Sequence, residues 1–447
     1  MHPAPLHHGK RCMTWFIEHP LLASTILMVL LAILGQSVGV SMLVGTIVYL
    51  GAKGQDLAIA GETVLQGLFN GYTLLAIPLF ILAADIMNIG SLADRLLHFS
   101  KALVGRFKGG LGHVNVLSSI IFSGMSGSAV ADAVGMGRII INMMTKDGKY
   151  TPAYAAAITA ASATIGPIIP PSIPMVLYAL VSDTSIGYLF AAGILPGLLM
   201  GLMLAVMNGW IAHRRHFETD EALPIRDLPM TTFRATPALM LPVILLGGIY
   251  GGIMTPTEAA ATAAAYALVI SAVLYRSVRL GDLRDTLVNS ARATASVGLL
   301  VAGSIAFNYV ITRENVPNTL SAFMMQFDLS QTSFLIAINL LFLVLGCFLE
   351  AGAILLIVVP IFIPTAQALG IDLIHFGVIA VVNGMIGLIT PPYGLLLFVV
   401  ANITSQPLSK IIKELVPFIT ALIAALVVIT FWPDFVLYLP RALGYKG

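Results

Sequence analysis

Along the 447-residue chain, apolar runs long enough to cross a membrane recur from Leu21 to Leu439, separated by short polar gaps. A hydrocarbon core about 30 Å thick takes roughly 20 apolar residues of helix to cross. The runs cover 21–50, 68–87, 111–144, 153–181 and 186–212, then 237–253, 258–275, 291–311, 334–369, 376–403 and 415–439. Between the two sets lies the most hydrophilic stretch, HRRHFETDEALPIRDLP beginning at His213. This pattern predicts an all-α polytopic membrane protein with a tail at 1–20, a first repeat at 21–212, a polar linker at 213–236 and a second repeat at 237–447. The run at 21–50 suits either one tilted helix or two short ones meeting around Gly35 to Gly39, and hydropathy does not choose between them.

Two runs carry prolines where a membrane helix would continue. IGPIIPP at 165–171 is echoed by IGLITPP at 386–392, so that Pro171 and Pro392 stand 221 residues apart, and Pro196 is echoed by Pro417 at the same spacing. Two matches in one register indicate an internal repeat. Upstream of each Pro-Pro pair an apolar stretch is interrupted by small or polar residues, SGMSGSAVAD from Ser123 and GCFLEAGA from Gly346. These stretches predict re-entrant helical hairpins at about 111–145 and about 331–369, followed by discontinuous helices at about 153–181 and about 373–403.

Cations orient the halves, because cytoplasmic loops are enriched in Lys and Arg. The first hairpin is flanked by Arg95, Lys101, Arg106, Lys108, Lys146 and Lys149, whereas the flanks of the second hold only Arg313. After the Pro-Pro segments the bias reverses: no cation lies between Ser182 and Gly187, but Lys410 and Lys413 follow the second. The expected architecture is therefore two inverted repeats, with a site near the midplane where the broken helices meet.

Composition narrows the function. Hydrophobic residues make up 58% of the chain and charged ones 10%, against about 25% charged in soluble domains. The net charge of +2 is scattered over short loops, which gives no basic face and excludes nucleic-acid binding. Cys12 and Cys347 are far apart and belong to no metal-binding pattern. The start of the chain has cations before an apolar run, but that run is too long for a signal peptide; His7 and His8 read as a solvated tail. HExxH and GxxxxGK[ST] are absent, so neither a helical zinc-protease site nor ATP hydrolysis is indicated, and no enzyme activity is expected. Energy must come from elsewhere, and an ion gradient is the natural source.

The breaks and the interruptions carry the candidate chemistry. Pro170 and Pro171 remove backbone donors and disfavour helix before them, leaving carbonyls around Thr164 to Ile168 for a hard cation. A lone proline would be read as a packing kink; two copies in register, each paired with a polar hairpin tip, favour a site. In the first tip Ser123, Gly124, Ser126, Gly127 and Ser128 offer hydroxyl oxygens and a backbone able to turn sharply, although small residues also serve close helix packing. In the second, Glu350 takes the corresponding place, as a direct cation ligand or as a hydrogen-bonding brace for the hairpin, while Asn383, Thr390 and Gly394 surround the break. An ionisable residue inside a membrane segment is a functional candidate. Asp132 is read either as assisting the first tip or as pairing with Arg138. Asp85, Asn88, His113 and Asn115 read as interfacial, and Thr255-Pro256-Thr257-Glu258 as a capping box.

The segments NGYTLLAIPLFILAADIM, GGLGHVNVLSSIIFSGMSGSAVADAVGMG, ITAASATIGPIIPPSIPMVLYAL, GGIMTPTEAAATAAAYAL and NGMIGLITPPYGLLLFV strongly resemble the large membrane (permease) subunit of tripartite ATP-independent periplasmic (TRAP) transporters. The resemblance covers nearly everything after Leu21. It implies an elevator-type transporter of the bacterial inner membrane, using sodium as coupling ion to import a small organic anion. It also implies two partners, a periplasmic substrate-binding protein and a small four-helix membrane subunit; no block of four helices precedes Leu21, so the latter is expected as a separate chain. Carried over to this sequence, one sodium site would use Ser123 to Ser128 with Ser162, Thr164 and Gly166. The other would use Gly346, Glu350 and Gly352 with Asn383, Gly387 and Thr390. Substrate would lie between them, near Pro170, Pro171 and Ser172 and near Pro391, Pro392 and Gly394. The basic extension before Pro20 is outside the family pattern. Two other readings are a standalone dicarboxylate carrier and a channel-like subunit of a larger complex.

Overall fold

The computed structural model describes residues 18–89, 92–146, 148–217, 219, 228–326 and 329–447. His7, His8, Cys12, nearly all of the 1–20 tail and much of the polar linker lie outside them. Among the described residues the structure is helical, with one isolated β-bridge between Lys108 and Thr219. Seven helices among the described residues are long and apolar enough to cross a membrane. One of them, Ile186–Arg214 with 29 residues, extends about 43 Å at 1.5 Å per residue, enough to span the core with tilt. The 21–50 run forms two short helices, Pro20–Ile33 and Val38–Ala52. Gly35 takes φ +91° at the bend, a left-handed conformation that glycine adopts without a Cβ penalty, and the Ser37 side chain caps the second helix.

Two groups of helices assemble, each drawing on both halves of the sequence. In one, Ala76–Ile89 packs on Pro256–Val269 and Val38–Ala52 packs on Leu280–Arg313. In the other, Pro152–Ala163 and Ile186–Arg214 pack on Leu408–Phe431, while Gln331–Gly346 packs on Leu373–Gly387. Tyr154, Tyr178, Phe190, Phe342, Phe376 and Phe418 are fully buried in the second group, as Tyr49 and Phe80 are in the first. The amphipathic helix Leu92–Val104 lies against Leu228–Tyr250 and Gly110–Ser126. Thr255 and Glu258 form the capping box: the Glu258 carboxylate accepts from the Thr255 amide at 2.7 Å, and the Glu258 amide donates to the Thr255 hydroxyl at 3.3 Å.

The interruptions become turns inside the second group. Gly110–Ser126 ends at Gly127 in the left-handed region, φ +60°, and the chain returns as Ala129–Val134 and Met136–Thr145. Gln331–Gly346 ends before Glu350, and the chain returns from Ala351 through a wide π turn at Ile354–Val358 into Val359–Ala368. Each following helix is broken: Pro152–Ala163 resumes as Ile173–Ser182, and Leu373–Gly387 resumes as Leu395–Thr404. Cis peptide bonds join Pro170 to Pro171 and Pro391 to Pro392.

Candidate functional site

A cavity of about 560 Å³ lies where these features meet. Ser126, Gly127 and Ser128 of the first tip line it, as do Glu350 and Gly352 of the second. Pro167, Ile173 and Pro174 flank the first break and Leu388 and Leu395 the second, so the resumed arms begin at the cavity. Their N-terminal amides give it a positive potential. No Lys or Arg lines it among the described residues. A larger cavity, about 750 Å³, lies at the far end of Ile173–Ser182, lined by Tyr72, Asp183, Tyr188 and Tyr250, and touches neither tip.

The first junction is built on hydroxyls. Asn115, only 2% exposed, donates to the Thr159 hydroxyl at 2.7 Å and accepts from Ser162 at 2.9 Å; the Ser119 hydroxyl meets Ser162 at 3.1 Å. This network ties the entering hairpin arm to the broken helix. At the tip, a Cβ on Gly127 would stand 2.5 Å from the Pro171 carbonyl oxygen, and one on Gly166 would stand 3.5 Å from that of Ser128. The Pro171 carbonyl accepts no hydrogen bond among the described residues. The buried Ser126 hydroxyl is likewise without a partner. Ser123 and Thr164 turn their hydroxyls back to the carbonyls of Ile120 and Ala161, both at 2.6 Å, and Gly124 packs on Pro242.

Asp132, 1% exposed, sits in the first turn after Ser128, its amide donating to the Ser128 carbonyl at 3.0 Å. Neither of its carboxylate oxygens has a well-formed hydrogen bond, the nearby Ser119 hydroxyl being engaged with Ser162. It makes no ion pair with Arg138 among the described residues, which leaves it behind the first tip as an unpaired buried acid.

The second junction is built on amides. Asn383 donates to the Asn339 oxygen at 2.7 Å, and Asn339 donates to the Thr430 hydroxyl at 3.2 Å; the Asn383 oxygen is buried without a partner. Gly346 and Gly387 bring two backbones together: a Cβ on Gly387 would stand 2.5 Å from the Gly346 Cα. Glu350 opens onto the cavity and makes no capping hydrogen bond, so nothing in this geometry braces the hairpin through it. The Thr390 hydroxyl is turned to the Ile386 carbonyl at 2.7 Å.

Pro170, Pro171, Ser172, Pro391, Pro392 and Gly394 do not themselves line the cavity; the residues flanking them do. Ser172 caps the resumed arm, accepting from the Met175 amide and donating to the Pro167 carbonyl. Gly394 takes φ +43° at the start of the second arm. Three expectations are corrected. Asp85 and Asn88 are not interfacial but line the cavity with Asn289, and Asn115 is not interfacial but the centre of the first junction. In an apolar helix a polar residue at a lipid headgroup and one at a buried site look alike, and the 221-residue spacing of the repeat sets Asn115 opposite Ile336, so it does not flag Asn115.

Two broken helices and two re-entrant hairpins closing on one polar-tipped cavity define a polytopic membrane transporter, since irregular backbone at membrane depth is tolerated where it lines such a cavity. Residues 25–435 match the family model described as tripartite ATP-independent periplasmic transporter, DctM component, and the chain belongs to that family, the large permease subunits of TRAP transporters in the inner membrane. It is 40% identical over 413 residues to the sialic acid TRAP transporter large permease protein SiaM of Vibrio cholerae, covering 92% of this chain and 96% of that protein. It is 41% identical over 373 residues to the C4-dicarboxylate large permease protein DctM of Pseudomonas aeruginosa, covering 83% and 87%. Among solved structures, the YdaH transporter of Alcanivorax borkumensis shares the fold at 16% identity, with a TM-score of 0.56 over 85% of this chain and 89% of that one.

Proposed function

We propose that this large TRAP permease subunit imports a small organic anion, a carboxylate or sugar acid, by secondary-active transport coupled to sodium. The observation that carries this reading is the convergence of both tips and both breaks on one cavity, with an unpartnered hydroxyl at Ser126 on its lining and unpartnered oxygens of Pro171 and Asn383 at the two junctions. Hard cations prefer oxygen ligands, and oxygens stranded away from water are costly unless a ligand takes them up. One sodium site would draw on Ser126 to Ser128 with the 162–166 turn, and the other on Glu350 with Gly346 to Gly352 and Asn383 to Thr390. With no Lys or Arg at hand, the bound cations and the two arm N-termini would hold the anion.

The inverted repeats fit an elevator mechanism, in which the group carrying hairpins and broken helices moves against the group built on Ala76–Ile89 and Leu280–Arg313. A periplasmic binding protein would deliver the solute. A small membrane subunit would support the fixed group; relatives named SiaT and DctMQ extend well past the matched region, which covers 66% and 57% of their lengths. The test is uptake by proteoliposomes holding this chain and its small subunit. Uptake should require an inward sodium gradient and the loaded binding protein. Uptake by this chain alone, without sodium, would refute the reading.

A further inference from the structure

One wall of the central cavity is used by neither tips nor breaks. It is formed by Ala76–Ile89 and Leu280–Arg313, facing the tips, and its polar residues are Asp85, Asn88 and Asn289 among apolar neighbours such as Ile81 and Val297. The Ser290 hydroxyl donates to Asp85 Oδ2 at 2.6 Å, which fixes the carboxyl group on the wall. Oδ1 receives no hydrogen bond among the described residues, and the buried Asn88 oxygen is also without a partner. No cation of the protein lines the cavity to answer Asp85. Asp85 Oδ1 therefore faces a space of the size that small ligands occupy, while the Asn88 oxygen is packed against Gly135, and a bound donor would satisfy the Asp85 oxygen.

We propose that Asp85, with Asn88 and Asn289 beside it, is a specificity subsite for a hydroxyl or amino group on the carbon chain of the solute. The solute is then a donor-bearing monocarboxylate. A plain dicarboxylate would bring its second negative charge against Asp85 with no protein cation to offset it. The inference rests on reading this cavity as the solute site.

The experiment is thermal unfolding of the purified full chain in sodium buffer, with succinate, 3-hydroxybutyrate and 3-aminobutyrate as probes, for the wild type and Asp85→Asn. The hydroxy or amino acid should raise the wild-type Tm more than succinate does, and Asp85→Asn should lose that excess. An equal or larger shift with succinate, an excess that survives in Asp85→Asn, or no shift with any acid would overturn the subsite. The wild-type panel decides by itself should the variant fail to fold. Replacing sodium with potassium is read separately: a Tm insensitive to sodium counts against sodium coupling, while the ranking of the three acids still judges the subsite.

Discussion

In the first half the arm entering the hairpin is tied to the broken helix by one amide and three hydroxyls, Asn115 with Ser119, Thr159 and Ser162; in the second half Asn339 and Asn383 do the same work with Thr430. Ser162 and Asn383 stand 221 residues apart, the spacing of the Pro-Pro pairs. The tips differ more. The first is neutral, built on Ser126 and Ser128, with its acid set back at Asp132; the second places Glu350 directly on the cavity. A neutral tip can bind a cation through oxygens alone, while a carboxylate tip adds charge at the site itself. The repeat has preserved where the chain breaks and which arms are joined, and has allowed the polar groups at each junction to change.

Backbone spacing gives the sharpest contrast. Gly387 meets the Gly346 backbone, with only 2.5 Å available to a Cβ, whereas at the matching Gly166 the nearest atoms are at 3.2 and 3.5 Å. Gly387→Ala should therefore destabilise by about 3 kcal/mol or more and Gly166→Ala by far less, read as Tm in detergent. Equal losses would mean that the two junctions are packed alike. Next in size, Asn115→Leu and Asn339→Leu should each lower stability by about 2 kcal/mol, because each strands partners in a buried network. A loss confined to one of them would show that the other junction does not depend on its amide.

Smaller effects separate the tips. Glu350→Gln should shift half-activation of uptake to several-fold higher sodium, roughly 1 kcal/mol, and Ser126→Ala should shift it less. Unchanged sodium activation in both variants would remove both tips from cation binding. The smallest effect concerns a tie between the halves, Glu314 with Tyr49 and Lys53, the Lys53 ammonium lying 2.9 Å away. Hydrogen bonds from Tyr49 and then Lys53 hold the Glu314 carboxyl below the usual carboxylate range. Its folded-state value lies below the unfolded one, so its contribution is full above roughly pH 4.3 and is lost as pH falls toward the folded value. On a partly exposed pair this amounts to under about 1 kcal/mol. Glu314→Gln should flatten that acid limb in a Tm-against-pH series and leave Tm at higher pH slightly reduced.

Much of the candidate site was legible in the chain. Proline pairs and interruptions by small or polar residues are local signals, because they act on the backbone of their own residues, and they marked both breaks and both tips. Residues whose role depends on what packs against them were not legible. Asn115 and Asn88 stand in largely apolar helices, where lipid-facing and buried faces carry similar residue types and periodicity does not separate them. Gly346 and Gly387, named as cation-site candidates, meet as a close backbone contact that no local pattern announces.

By itself the sequence determined a multi-pass helical membrane protein, its two breaks and the repeat relating them, since hydropathy, proline and repetition are properties of neighbouring residues. Tertiary structure alone decided that residues as distant as Asp85, Ser126, Asn289 and Glu350 share one cavity, that Asp132 lies unpaired behind a tip, and that 21–50 folds as two helices. Those outcomes depend on which helix faces meet across hundreds of residues, and in an apolar chain that choice is made by packing.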